Sequence, residues 1–108
     1  MLELRSTASD WYLDAYVQSG NQNKTLIDPT LLHPLGQWAH VAFVVENGRQ
    51  TTFVNGKKEL ESQVTIQPFS DGKTSIGVRQ NEVSWFKGAI YQIRFTEKVL
   101  NPEQFLKF

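Results

Sequence analysis

The chain has 108 residues, no cysteine, and 11 basic against 11 acidic residues, so its formal net charge is zero. The lack of cysteine excludes disulfides, thiol catalysis and cysteine-ligated zinc, and the neutral balance excludes the basic field that binds nucleic acid. With 40% hydrophobic residues, this length predicts one small domain with its own core over residues 1–108.

The first predicted strand covers residues 10–18, where apolar and polar side chains alternate as in a half-buried strand. The apolar set, which we expect to face the core, is Trp11, Leu13, Ala15 and Val17. The polar set is Tyr12, Asp14, Tyr16 and Gln18. A turn at 19–23, a short strand at 24–27 and an irregular connection with two prolines at 28–36 follow.

A β-hairpin is predicted over residues 38–54. Two apolar and β-branched runs, 38–45 and 50–54, flank Asn47-Gly48, and Asn55-Gly56 closes the second run. Such Asn-Gly pairs suit turns that require left-handed backbone angles. Because the first run is apolar on both faces, we expect a central strand covered on both sides, with Trp38 as a large core anchor.

The rest of the chain predicts further strands. Residues 57–66 alternate weakly and suit an edge strand. Asp71-Gly72 turns into a strand at 74–79, and Asn81-Glu82 turns into a long strand at 84–96 with a bulge near Ile90. Asn101-Pro102-Glu103 predicts a short helix over 102–107, with an asparagine N-cap and a first-turn proline.

The hairpin and three later pieces resemble laminin-G-like domains of the concanavalin A-like group. The resemblance lies in Trp38-x-His40-Val-Ala, Phe53-Val-Asn55-Gly56, Ser75-Ile-Gly77 and Phe86-Lys-Gly88-Ala-Ile, followed by Leu100-Asn-Pro. It implies structural roles for Trp38, His40, Asn55, Gly56, Gly77 and Gly88. It also implies an all-β fold, a reduced antiparallel two-sheet jelly-roll sandwich with a short C-terminal helix.

The resemblance also implies a range of functions. Laminin-G-like members bind glycans, proteins or steroids, or only space other domains, commonly as parts of longer extracellular or cell-surface chains. The sequence itself does not specify a compartment. A complete sandwich of this kind has several strands before the hairpin, and only the residues before Trp38 can supply them. We therefore expect a homodimer in which two copies complete each other's sheets. The alternative is a monomer closed by its N-terminal segment, with charged residues in 57–61 protecting the edge.

No catalytic constellation is evident, so the sequence predicts a module without enzyme activity. Glycoside hydrolysis needs two carboxylates on one face. Glu59 and Glu61 have the spacing to share one, but no third acid follows, and solvated edge-strand charges explain them better. His33 and His40 are the only histidines, and neither accompanies a Gly-x-Ser-x-Gly nucleophile. His40 suits a packing role in its strand.

Cofactor sites are similarly sparse. Calcium needs only oxygen ligands, and some laminin-G-like and pentraxin-like relatives hold it in rim loops. The candidates in predicted loops are Asp28, Asp71, Asn81 and Glu82. They lack EF-hand spacing, and turn chemistry explains Asp71-Gly72, so the prediction is no cofactor, with calcium as the alternative.

A ligand surface is predicted on the polar face of the first strand. Tyr12 and Tyr16 beside Asp14 and Gln18 combine rings that cover a sugar face with groups that bond hydroxyls, and Trp85 is expected at a nearby loop end. The predicted ligand is a glycan. The alternative is that this face packs under the second sheet or a partner protein. No apolar run approaches the ~20 residues that span a bilayer, and residues 1–5 do not resemble a signal peptide, so no membrane insertion is expected.

Overall fold

The computed structural model describes residues 1–67 and 72–107. It contains two antiparallel sheets, so the predicted all-β fold with two sheets is confirmed. Within the described ranges there is no helix with the length and hydropathy needed to cross a bilayer.

The first sheet is built on β2, the long strand predicted from its alternation. Its strands are β1 (Leu2–Ser6), β2 (Asp10–Ser19), β3 (Gln22–Ile27) and the two-residue β4 (His33–Pro34). β2 pairs with β1, with β3 and, at its beginning, with β4. Leu4 lies opposite Leu13, and Ala15 lies opposite both Leu2 and Leu26. The apolar residues of three strands therefore share one face.

The second sheet is built on the predicted hairpin. Its strands, in spatial order, are β5 (Val41–Glu46), β6 (Arg49–Val54) and β7 (Lys57–Gln63). Both Asn-Gly turns have the left-handed angles expected of them, with φ of 47° and 72° at Asn47 and Gly48 and 52° and 79° at Asn55 and Gly56. β7 pairs only with β6 within the described part of the chain, which confirms the predicted edge strand.

The core lies between the sheets. Trp11 and Leu13 from β2 pack with Val54 from β6, and Ala39 and Val41 pack against this cluster. β6 is the buried strand of its sheet: Gln50 and Thr52 are the largest fully buried side chains. Thr52 Oγ1 accepts a hydrogen bond from Leu60 N, and Gln50 Nε2 donates to Ser62 Oγ. These bonds offset the cost of burying polar groups beside an apolar core.

The prediction for Trp38 and its strand is wrong. β5 begins at Val41 and lies at the edge of the described sheet, and Trp38 is 60% exposed. The reason is the parity of the strand. Ala39 and Val41 face the core, so Trp38 and His40, which alternate with them, face outward.

The two strands predicted after Gly72 do not form in the described structure. Residues 74–79 and 84–96 have irregular backbone and are mostly exposed, and the bulge expected near Ile90 has no strand to interrupt. The predicted helix at 102–107 is a single 3-10 turn, Pro102–Gln104, with Gln104 Oε1 accepting from Asn101 N. Gly77 has φ of 88°, and the Phe86 ring folds back over Gly88, where a Cβ would lie 2.9 Å from it.

Candidate functional site

The polar face of β2 is more occupied than the sequence suggests. Asp14 is only 3% exposed, and its Oδ2 accepts a 2.6 Å hydrogen bond from Arg5 Nε on the neighbouring strand. Its Oδ1 is buried and has no hydrogen-bond partner among the residues that the structure describes. Asp14 thus anchors Arg5 across β1 and β2, and its carboxylate is not presented to solvent.

A second ion pair brings the later part of the chain to the same face. Glu3 lies opposite Asp14 in register, and Arg79 donates two 2.6 Å hydrogen bonds to the Glu3 carboxylate. These bonds are the main reason that the pKa of Glu3 lies below its usual value. The segment around Arg79 therefore covers part of the face on which the sequence placed a ligand.

The remaining predicted ligand residues stay more accessible. Tyr12 and Tyr16 are half-buried, Gln18 is exposed, and the Tyr16 hydroxyl donates to Gln18 Oε1 over 3.3 Å. Trp85 is 69% exposed. Its ring forms no aromatic pair with either tyrosine in the described structure. The geometry therefore leaves two tyrosines and an amide on this face, separate from Trp85.

The oxygen atoms of two calcium candidates are already used in turns. Asp28 Oδ1 accepts from both the backbone N and the hydroxyl of Thr30, and Asn81 Oδ1 accepts from Val83 N. Glu82 is exposed, with φ of 60°, and Asp71 lies outside the described residues. Across 1–67 and 72–107, no group of three His, Asp or Glu side chains could hold a metal ion.

The two acids considered for catalysis have different partners. The register between β6 and β7 shifts between Thr52 and Phe53. Glu59, at this irregularity, contacts His33 Nε2 of the other sheet, while Glu61 lies near Lys58. The expectation that both acids share a face fails because the bulge changes the alternation.

A groove lies at the other end of the molecule, beside the hairpin's second turn. It has a volume of about 460 Å³ and is open to solvent. Its lining residues are Trp38, His40, Asn55, Gly56, Pro102, Phe105, Leu106 and Lys107. One concave surface is thus shared by the Asn55-Gly56 turn, by Trp38 and His40, and by the C-terminal segment 102–107.

Local hydrogen bonds fix the turn side of this groove. Asn55 Oδ1 accepts from His40 N over 2.9 Å, and Asn55 N donates to His40 O over 2.8 Å. The left-handed Asn55-Gly56 turn allows this double bond, because it returns the Asn55 side chain to the preceding strand. The structural role expected of His40, Asn55 and Gly56 therefore includes fixing the shape of the groove.

Aromatic rings line the groove or contact its lining residues. Phe105 is 8% exposed, stacks on His40 with ring centroids 5.5 Å apart, and meets Phe53 edge-to-face at 5.2 Å. Trp38 and Tyr91 meet edge-to-face at 6.2 Å, and Tyr91 is 76% exposed. The groove thus combines a buried ring, Phe105, with an exposed ring, Trp38, that a ligand could cover.

The electrostatics of the groove centre on His40. Burial, and then the nearby Arg94 guanidinium, hold the pKa of His40 below its ordinary value of 6.5. The imidazole is therefore mainly neutral at pH 7, and within residues 1–67 and 72–107 its buried Nδ1 has no hydrogen-bond partner. Arg94 itself donates to Gln104 O over 2.7 Å, which ties the Tyr91 segment to the C-terminal turn.

Sequence reasoning missed this groove because it assigned Trp38 to the core and Tyr91 to a strand. One signal could have found it. Ala39 and Val41 are small enough to pack in the narrow core, and they do so. Trp38 and His40 alternate with them, so this set could have been assigned to the outer surface.

Comparison with known proteins identifies the family. The model for laminin-G-like domains of the concanavalin A-like lectin/glucanases superfamily matches residues 1–105. No curated protein and no solved structure gave a significant match. Laminin-G-like domains are generally non-catalytic modules that bind carbohydrate or protein, although the superfamily also includes glycosidases. The chain belongs to this superfamily, as a laminin-G-like domain.

Proposed function

We propose that this domain binds a glycan, without cleaving it, in the groove between the Asn55-Gly56 turn and the C-terminal segment. The observation that carries the proposal is the exposed Trp38 ring beside Tyr91 at the rim of a concave surface. Sugars present apolar C–H faces to such rings, and their hydroxyls bond nearby polar groups.

The composition of the groove supports this ligand class. Phe105 and Pro102 supply apolar surface, while Asn55, neutral His40 and Lys107 supply hydrogen-bonding groups. Its volume falls in the range of about 300–1,000 Å³ that is typical of small-ligand sites. A short oligosaccharide with one sugar ring over Trp38 suits this mixture.

The polar face of β2 provides a second surface for the same ligand class. Tyr12 and Tyr16 keep partly exposed rings there, whereas the Asp14 carboxylate is bonded to Arg5. A glycan on that face would therefore use Tyr12, Tyr16 and Gln18, and the two surfaces can be distinguished by mutation.

The experiment is a glycan array followed by isothermal titration of any sugar that binds. We expect Trp38→Ala to weaken binding by about tenfold or more, the size of a buried aromatic anchor. Trp85→Ala is the matched control, because Trp85 is as exposed as Trp38 but does not line the groove.

Each result assigns or rejects the site. Loss of binding in Tyr12→Ala and Tyr16→Ala, with Trp38→Ala unaffected, would move the site to the β2 face. Loss in Trp85→Ala alone would support the surface predicted around that residue. Binding to no glycan would reject the proposal and leave a protein-interaction or spacer role, which the exposed apolar residues after Gly72 favour.

A further inference from the structure

The folded chain exposes more surface than a compact monomer of its mass. Its accessible surface is 8272 Å². A folded monomer of 12.4 kDa is expected to expose roughly 6,100 Å², so the excess over this expectation is about 2,200 Å². The radius of gyration, 14.1 Å, also exceeds the roughly 13 Å expected for this length.

Much of the exposed apolar surface lies in one part of the chain, residues 76–99. Its exposed large apolar residues are Ile76, Val83, Trp85, Phe86, Ile90, Tyr91, Ile93, Phe95 and Val99. Phe95 is 78% exposed, more than any residue of the core strands' apolar set. Large exposed apolar surface of this kind is typical of interaction sites.

Residues 89–96, here called the free segment, have the pattern of a strand but no partner. Tyr91, Ile93 and Phe95 alternate with polar residues, and aromatic and β-branched side chains favour strands. In the described structure, the backbone of the free segment makes no backbone–backbone hydrogen bond. Its N–H and C=O groups are available to another strand.

The molecule also has one edge suited to receive a strand. β7 carries Lys57, Lys58, Glu59 and Glu61, charges that discourage pairing. The outer strands of the first sheet are polar or charged in most positions. β5, with the sequence Val-Ala-Phe-Val-Val-Glu, pairs with β6 on one side and, among described residues, with no strand on the other.

We propose that two copies of this chain form a two-fold dimer in which the free segment of each adds as a strand to the β5 edge of the other. In the described structure the free segment does not pair with its own β5; its contacts are those of Tyr91 with Trp38 and of Arg94 with Gln104 O. In such an exchange the free segment of each copy pairs with the β5 edge of the other, so the same contact occurs twice, as a two-fold interface requires.

The area supports a second copy as the partner. Stable interfaces bury about 1,600 Å² in total, and obligate homodimers about 2,000 Å² or more. The excess surface of each chain is sufficient for the larger class. The proposal gives the homodimer expected from the sequence a specific interface, and it does not depend on glycan binding.

The first test measures mass by light scattering over a concentration series. We expect a dimer at micromolar concentration, with Phe95→Asp raising the dimer dissociation constant about tenfold or more. Val83→Asp, an exposed apolar residue outside the free segment, is the matched control and should leave it unchanged. A monomer persisting at high micromolar concentration would overturn the proposal, as would an unchanged dimer of Phe95→Asp.

The second test uses the absence of native cysteine. Ile93→Cys chains are mixed with Ala42→Cys or Val44→Cys chains and oxidised at low concentration. Disulfides joining the two different variants are expected. Double variants that form only a disulfide within one chain would show that the free segment pairs with its own edge, and the dimer interface would be rejected. This result does not require the substituted Phe95 variant to fold.

Discussion

Residues 2–63 and residues 72–101 contain similar apolar and β-branched patterns but fold differently. In the first region every strand has a hydrogen-bonded neighbour, and Trp11, Leu13 and Ala15 of β2 are buried. In the second region Tyr91, Ile93 and Phe95 alternate equally well, yet the backbone is irregular and the rings are exposed. Alternation therefore sets which face a strand would bury, whereas a partner edge decides whether the strand forms.

The largest expected effect separates two tryptophans. Trp11→Ala removes a ring that is 6% exposed from the contact between the sheets, so it should lower the free energy of unfolding by about 3–5 kcal/mol. Trp38→Ala, at a 60% exposed ring, should cost less than about 1 kcal/mol. Urea unfolding of the two variants measures the difference. Equal losses would show that Trp38 is part of the core after all.

The second prediction compares the two ion pairs that β1 makes on this face, one with β2 and one with the later region. Arg5→Ala leaves the Asp14 carboxylate, which is 4% exposed, without its donor, and should cost about 1–3 kcal/mol. Arg79→Ala removes the donor from the Glu3 carboxylate, which is 16% exposed and keeps Arg5 at 3.8 Å, and should cost under about 1 kcal/mol. Chemical denaturation of both variants measures the order. A larger loss for Arg79→Ala would mean that the later region stabilises the sheets more than its exposure indicates.

The third prediction concerns the turn that positions the groove. Gly56 has φ of 79°, so Gly56→Ala should cost about 1 kcal/mol through the left-handed backbone alone, since no atom lies within 4 Å of the added Cβ. Lys57→Ala, one residue later in an exposed strand position, is the control and should change stability by less than about 0.5 kcal/mol. Thermal unfolding that ranks the two equally would contradict the turn geometry.

Local patterns were sufficient for β2, β3 and the two turns of the hairpin, but not for β1 or β4. The alternation from Trp11 to Val17 predicted β2 and its buried face, and two Asn-Gly pairs predicted both turns. Local patterns did not place Trp38 correctly, because a run that is apolar at every position does not reveal which of its two alternating sets of residues faces the core. They were also insufficient at 84–96, because strand formation there depends on a neighbour distant in sequence.

The candidate site was harder to predict than the fold. The groove is formed by Trp38 and His40 from the residues just before β5, Asn55 from a turn and Phe105 from the C-terminal segment. Contact between such distant residues has no local signal. The β2 face was predictable as a surface, but not its ion pairs, because Arg5 and Arg79 come from β1 and from the later region.

The smallest expected effect is the pH dependence of stability at His40. Burial and the Arg94 charge lower the pKa of His40 in the folded state, whereas the unfolded value is about 6.5. As pH falls through about 6.5, the unfolded chain takes up this proton first, so stability decreases toward acid pH and is restored above it. The Met1 amino group, whose pKa is lowered from 8.0 mainly by burial, makes stability rise over a higher range. His40→Gln removes only the first contribution.

The test measures the urea midpoint of the wild type and of His40→Gln from pH 5 to pH 8. The wild type should lose more stability than His40→Gln between neutral and acid pH, and the two curves should run parallel above it. Parallel curves over the whole range would contradict a buried, neutral His40 beneath the groove.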